Sequence, residues 1–244
     1  MTCPVDGEQF SGWRAGSYST YGARPDGKPF SYMAFPFPLP ECPANRLVVF
    51  ADFTPEEVKA LATLIATPDY ARIVMAETPY YRAFWLSRRL NRPAASSLRL
   101  LLHAIWEVSP GSIGAEDTPT KREHMVRYQR EFVTGVVALP ASTPAEDRLW
   151  LTIRAANALR QMGEFPEAHS LLATARSLAD HDTEAAKVNH YIDRLDRTIA
   201  REDADVEPID LLPPREAQSR CVSNGQFLAT PQRALCRDIP RDTP

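Results

Sequence analysis

Thr54-Pro55-Glu56-Glu57-Val58-Lys59-Ala60-Leu61-Ala62-Thr63-Leu64-Ile65-Ala66-Thr67-Pro68 is the stretch that decides the fold. Its opening four residues form a capping box. The Thr54 hydroxyl can accept from the third helical amide, Pro55 suits the first helical position, and Glu57 can reach back to the cap. Val58, Leu61, Leu64 and Ile65 then fall on one helical stripe. Thr143-Pro144-Ala145-Glu146 repeats the device, and Thr67-Pro68, Thr78-Pro79 and Thr118-Pro119 are looser versions. Further stripes follow: Tyr81, Phe84, Trp85 and Leu90; Leu98, Leu101, Leu102, Ile105 and Trp106; Met125, Tyr128, Phe132 and Val136. Three more run through Leu149–Leu159, Ala168–Leu178 and Val188–Ile199. Short amphipathic helices in series predict a mostly α fold, an array of helical hairpins.

The segment Leu149–Leu178 also has features of a tetratricopeptide repeat. Ala156 stands at the small site of the first helix, Gly163 at the turn, and Ala168, Leu172 and Ala175 follow at the spacing of the second. Pro166 departs from that pattern, and Thr152 and Leu159 replace its large aromatics. A generic helical hairpin is the competing reading.

Residues 1–53 differ. They hold five of the ten glycines and ten of the 22 aromatics, with no helical period. Runs such as Phe30–Phe35 and Leu47–Phe50 suit short strands, and Pro36, Pro38 and Pro40 keep the chain between them extended. The expected organisation is a small β-rich lobe over 1–53, a helical repeat-like domain over 54–202, and an extended or disordered tail over 203–244, where prolines break any period.

With 28 basic against 31 acidic residues the net charge is −3, which gives no general reason to expect a nucleic-acid partner. No run is long and apolar enough to span a bilayer, and no secretory signal is visible, so a cytoplasmic chain with reduced thiols is expected. The basic groups Arg82, Arg88, Arg89, Arg92 and Lys121, Arg122, Arg127, Arg130 read as solvated faces over core stripes, with phosphate gripping as the alternative. The aromatic, turn-rich segment Tyr18–Tyr32 reads either as a binding loop or as the lobe's own core.

Chemistry-bearing motifs are few. His103, His124, His169, His181 and His190 make no metal-site spacing; His103 reads as a hydrogen-bonded structural histidine. Gly111-Ser112-Ile113-Gly114 reads as a linker. No nucleophile elbow, phosphate loop or dinucleotide fingerprint occurs, so no catalytic residue is assigned and no enzyme is expected.

Cys3-Pro4-Val5-Asp6 and Cys42-Pro43-Ala44-Asn45 share a form, 39 positions apart, in which the second cysteine of a zinc knuckle is replaced. These knuckles, the aromatic stretch between them, the acidic helix start after Val49-Phe50 and the tetratricopeptide-like end resemble an uncharacterised bacterial family, domain of unknown function 2225. The resemblance covers roughly residues 1–180 and implies a zinc-ribbon-like N-terminus joined to helical repeats, with no established activity. Three readings of the cysteines compete. One is a degenerate ribbon that needs no metal. Another is a zinc site of Cys3 and Cys42 with Asp6, or with Cys221 and Cys236. The third is free thiols, while a Cys221–Cys236 disulfide requires another compartment.

The functional expectation is a non-catalytic protein–protein interaction or scaffold protein that offers a helical surface, with Leu211-Leu212 of the tail docking in its groove or in a sister subunit. The alternative is a metal-binding or redox-responsive regulator acting through its N-terminal cysteines. An enzyme site assembled from distant residues is the third possibility.

Overall fold

The computed structural model describes all residues except 14, 111–116, 180–184, 225–227, 229, 238 and 240–244. The Gly111–Gly114 linker and His181 lie outside the described residues. The class is mostly α: ten helices and one two-stranded antiparallel sheet among the described residues. The chain forms two compact units, one of Met1–Tyr18 and Ala34–Tyr128, the other of Ser19–Met33 and Gln129–Pro244. Contacts therefore do not cluster along the boundaries expected at 53 and 203. Residues 19–33 leave the N-terminal region for the second unit because their partners are far away in sequence, where no periodicity can reveal them.

In the first unit, α1 (Pro55–Ile65), α2 (Pro68–Ala76) and α3 (Pro79–Arg89) each begin at a Thr-Pro. The hydroxyls of Thr54, Thr67 and Thr78 accept from the amides of Glu57, Tyr70 and Tyr81, and Glu57 completes the box at Thr54. α4 (Ala94–Val108) packs closely on α3, where the Ser87 and Ser97 hydroxyls share a hydrogen bond of 2.7 Å at their buried crossing. α5 (Pro119–Val137) follows, with Thr118 accepting from Lys121; its residues up to Tyr128 belong to this unit and the rest to the second. The core joins Leu61, Tyr70, Ala83 and Leu86 to Cys3, Cys42, Leu47 and Val48.

In the second unit, α6 (Ala145–Gln161), α7 (Phe165–Ala179) and α8 (Ala185–Ala200) share one core of Leu149, Ile153, Ala156, Ala168, Leu172, Ala175, Val188, Ile192, Leu195 and Ile199. The expected capping box at Thr143 does not form. The helix starts one residue later with Pro144 as its cap, and the Thr143 amide is used in a turn, donating to Pro140. Gly163 turns the chain between α6 and α7 at φ 79°. Pro166 is the second residue of α7, where its missing N–H has no intrahelical partner to lose.

The region after 203 is not an extended tail in its described part. A 3-10 turn (Ile209–Leu211), α9 (Pro214–Asn224) and α10 (Thr230–Leu235) follow one another. Leu211 joins the α6–α8 core, and Ile209, Leu212, Ala217 and Leu228 make a second cluster with Phe30, Cys221 and Cys236. Its apolar groups are too short to show a period, and of its described residues only Leu211 packs among the helices before it.

Among the described residues the expected β-rich lobe reduces to β1 (Thr20–Ala23) against β2 (Pro29–Ser31) and two isolated bridges. Leu47–Phe50 is not a strand; only Val48 pairs, with Glu41. The β1–β2 tip is Arg24-Pro25-Asp26-Gly27-Lys28, with Arg24, Asp26 and Lys28 all buried and Arg24 paired to Asp26. Arg154 of α6 and Tyr191 of α8 both donate to the Pro25 carbonyl. Tyr18–Tyr32 is thus largely a structural hairpin.

Gly22 holds φ at 134° beneath the Pro213 ring, which an added β-carbon would overlap. Gly22→Ala should lower stability by about 2 kcal/mol, read as a lower denaturant midpoint with an unchanged slope.

Candidate functional site

The two Cys-Pro knuckles are one turn built twice. Cys3 N–H donates to Glu8 O (2.8 Å), Gly7 N–H to Cys3 O (3.0 Å) and Phe10 N–H to Met1 O (3.0 Å). Thirty-nine residues on, Cys42 N–H donates to Leu47 O (2.9 Å), Arg46 N–H to Cys42 O (2.9 Å) and Val49 N–H to Pro40 O (2.8 Å). Both turn through positive φ, 75° at Gly7 and 61° at Arg46. Helices then fix the second knuckle. Tyr70 Oη donates to Arg46 O at 2.7 Å, and Arg82 donates to the same carbonyl at 3.0 Å and to the Glu41 carboxylate at 2.6 Å. Burial pushes the Tyr70 phenol up to about 12, so it remains a donor.

The four ligand positions of a double knuckle do come together. Cys3 and Cys42, both buried, are joined by a disulfide with Cα atoms 5.6 Å apart. Asn45 Nδ2 donates to Asp6 Oδ2 at 2.8 Å and lies 3.5 Å from Cys3 Sγ. These residues do not fit a closed zinc site. The bonded cysteines carry no thiolate. Asn45 turns its N–H end toward Asp6 and Cys3, because its oxygen is held by the Leu47 amide at 2.9 Å. Among the described residues no group of three or more His, Cys, Asp or Glu is placed to hold a metal. Cys221 pairs with Cys236, so the tail cysteines are not shared with Cys3 and Cys42. The expectation of reduced thiols is likewise corrected: all four cysteines are in disulfides.

Beside the knuckles the first unit opens a groove of about 890 Å³, lined by Met1, Trp13, Tyr18, Phe37, Pro40, Phe53 and their neighbours. Trp13 lies 5.3 Å from Phe37, and Tyr18 meets Phe35 and Phe37 at 5.5 and 4.9 Å. Across the lining, Phe50 and Phe53 meet edge to face at 5.1 Å. Tyr80 Oη donates to Phe37 O at 2.9 Å and fixes the Pro36–Pro40 stretch to α3. Trp13 and Tyr18 remain 45% and 46% exposed. Sequence reading missed this groove. Its one signal was the alternation Phe35-Pro36-Phe37-Pro38-Leu39-Pro40, which fixes an extended chain but not what faces it.

The basic groups are mostly neutralised. Arg92 pairs with Glu57, Arg127 with Glu77, Arg122 with Asp117 and Arg130 with Glu164, whereas Arg82 is buried instead of solvated. Arg88 and Arg89 are exposed over the Phe84 and Trp85 rings. His124 stacks on Tyr128, His169 meets Asp196 and His190 is exposed. No protein-family model matches the chain, and neither does any curated protein or solved structure.

His103 makes no hydrogen bond to a described residue. Its ring is packed between Tyr80 (5.1 Å) and Trp106 (4.5 Å), and burial pushes its pKa down to about 4. The unfolded chain takes up this proton near 6.5, the folded chain only near 4. The contribution is full above 6.5 and is lost as pH falls toward 4, by about 3 kcal/mol in all. Urea titrations of wild type and His103→Phe between these values should give a flatter pH profile for the variant.

Proposed function

We propose that the protein is a non-catalytic interaction protein and that the aromatic groove of its first unit is the surface it offers to another protein. One observation carries this reading. The buried charged side chains Arg24, Asp26, Lys28, Arg82 and Arg160 among the described residues are engaged with opposite charges or loop carbonyls, while the groove keeps exposed rings. Acid–base and nucleophilic chemistry need ionisable groups that converge; binding needs rings that a partner can desolvate. The helical array of the second unit is the less available surface. The 19–33 hairpin tip and Leu211 of the same chain already pack against it.

Affinity purification with the full chain as bait tests the reading. A partner recovered by wild type should fall at least about tenfold with Trp13→Ala/Tyr18→Ala, at unchanged thermal stability. Turnover in a substrate screen, with no partner recovered reproducibly, would defeat it.

A redox-responsive protein is the second reading, favoured by the bond between Cys3 and Cys42. The residues flanking it, Thr2 and Pro4 on one side and Pro40 on the other, all line the groove. A dithiol supplies two electrons and two protons, leaving two thiols and becoming a disulfide itself. In a Cys221→Ser/Cys236→Ser background, reduction should lower stability by roughly 4 kcal/mol for this loop length and change Trp13 fluorescence. Unaltered melting and emission would remove this reading.

A further inference from the structure

We infer that the groove of the first unit takes a proline-rich segment of a partner protein, in the polyproline II conformation and carrying an arginine or lysine. This deepens the interaction reading above and rests on it.

Three features of the groove select that occupant. Two of its ring pairs are set edge to face, Tyr18 at 74° to Phe37 and Phe50 at 84° to Phe53, and Trp13 is tilted at 49° to Phe37. Rings in this arrangement leave clefts of the kind in which aromatic-lined grooves seat pyrrolidine rings. The second feature is a pair of donors. The Trp13 indole N–H and the Tyr18 hydroxyl have no acceptor among the described residues. A polyproline II chain has no internal hydrogen bonds, so its carbonyls are free to accept. A docked α-helix has already used its carbonyls, and a docked strand needs a backbone edge, which a groove of side chains does not supply. Such a chain is also ordered before binding, so docking costs it little conformational entropy.

The third feature is charge. Asp52 has the one charged side chain among the described lining residues; it is exposed, and its carboxylate has no described partner. Its own carbonyl accepts from Arg92 at 2.8 Å, but Glu57 neutralises that guanidinium through bonds of 2.7 and 2.8 Å. The Met1 ammonium, a cation of the same lining, donates to Phe10 O at 2.8 Å, which does not neutralise it, so the complement is local to Asp52. A cation on the incoming peptide is the charge that Asp52 complements.

Fluorescence anisotropy on the full chain tests the proposal. The probe is a labelled ten-residue peptide of proline and leucine with one arginine near its end. It should bind saturably, and about fivefold more tightly than the same peptide with glutamate for arginine. Replacing its prolines by glycine should weaken binding by about tenfold, because the free peptide is then disordered. Asp52→Asn should abolish the preference for arginine over glutamate, and Trp13→Ala should weaken binding at least about tenfold. The comparison of peptides uses wild type alone, so it stands whether or not a variant folds. Absence of saturable binding, equal binding of the glycine peptide, or an arginine preference that survives in Asp52→Asn would overturn the proposal. If no peptide binds but a cellular partner is still lost with Trp13→Ala/Tyr18→Ala, this inference falls and the interaction reading stands.

Discussion

Arginines, most of them on helices and one (Arg92) between α3 and α4, hold irregular parts of this chain by their backbone carbonyls. In the first unit Arg82 takes Arg46 O and Arg92 takes Asp52 O. In the second, Arg154 takes Pro25 O, Arg160 takes Asp203 O and Arg194 takes Asp210 O. Loops packed against helices, without strand partners, leave carbonyls that must be satisfied. A guanidinium suits the task because it stays charged and presents several donors in a fixed plane. Arg160 is fully buried, and its charge is tolerated because Asn157 Oδ1 and Asp203 O surround it. Carboxylate partners at Glu57, Glu77, Asp117 and Glu164 neutralise four of the arginines that look like basic patches in sequence, while Arg88 and Arg89 stay exposed.

The paired knuckles solve a related problem. Two short turns with few apolar side chains cannot hold together by burial alone, and double knuckles of this form ordinarily meet that need with a metal. Here the Cys3–Cys42 bond closes the loop, and the Asn45–Asp6 hydrogen bond occupies the remaining two positions. Closing a loop of this separation removes about 4 kcal/mol of chain entropy from the unfolded state. Leu47 and Val48 then extend the small knuckle core onto Leu61 and Tyr70. The arrangement holds the two turns together through one covalent bond and one side-chain hydrogen bond.

Three carboxylates of the first unit serve as ties between its elements. Glu57 caps α1 and holds Arg92; Glu77 receives both Arg127 and the Tyr128 hydroxyl; Glu107 accepts the Tyr80 amide. Each carboxylate is committed to holding one element against another. Aromatic rings are a different matter: Trp13 and Tyr18 stay open to solvent while Phe35 and Phe37 pack behind them.

The sequence by itself determined the helices from α1 to α8. Thr-Pro starts at Thr54, Thr67, Thr78 and Thr118 and stripes such as Leu61–Leu64 are local codes, read within one or two turns, and Gly163 likewise marks a turn that depends on its neighbours alone. It also fixed the two Cys-Pro turns as a matched pair. Only the tertiary structure decided that Cys3 bonds to Cys42, that the hairpin of Arg24 and Asp26 belongs with Arg154 and Tyr191, and that the segment after 203 is folded onto α8. The groove at Trp13 is of the same kind, for its lining comes from five separate stretches of chain. These features rest on single long-range contacts, a sulfur, a carbonyl or a leucine in a cavity, and such contacts leave no period in the sequence.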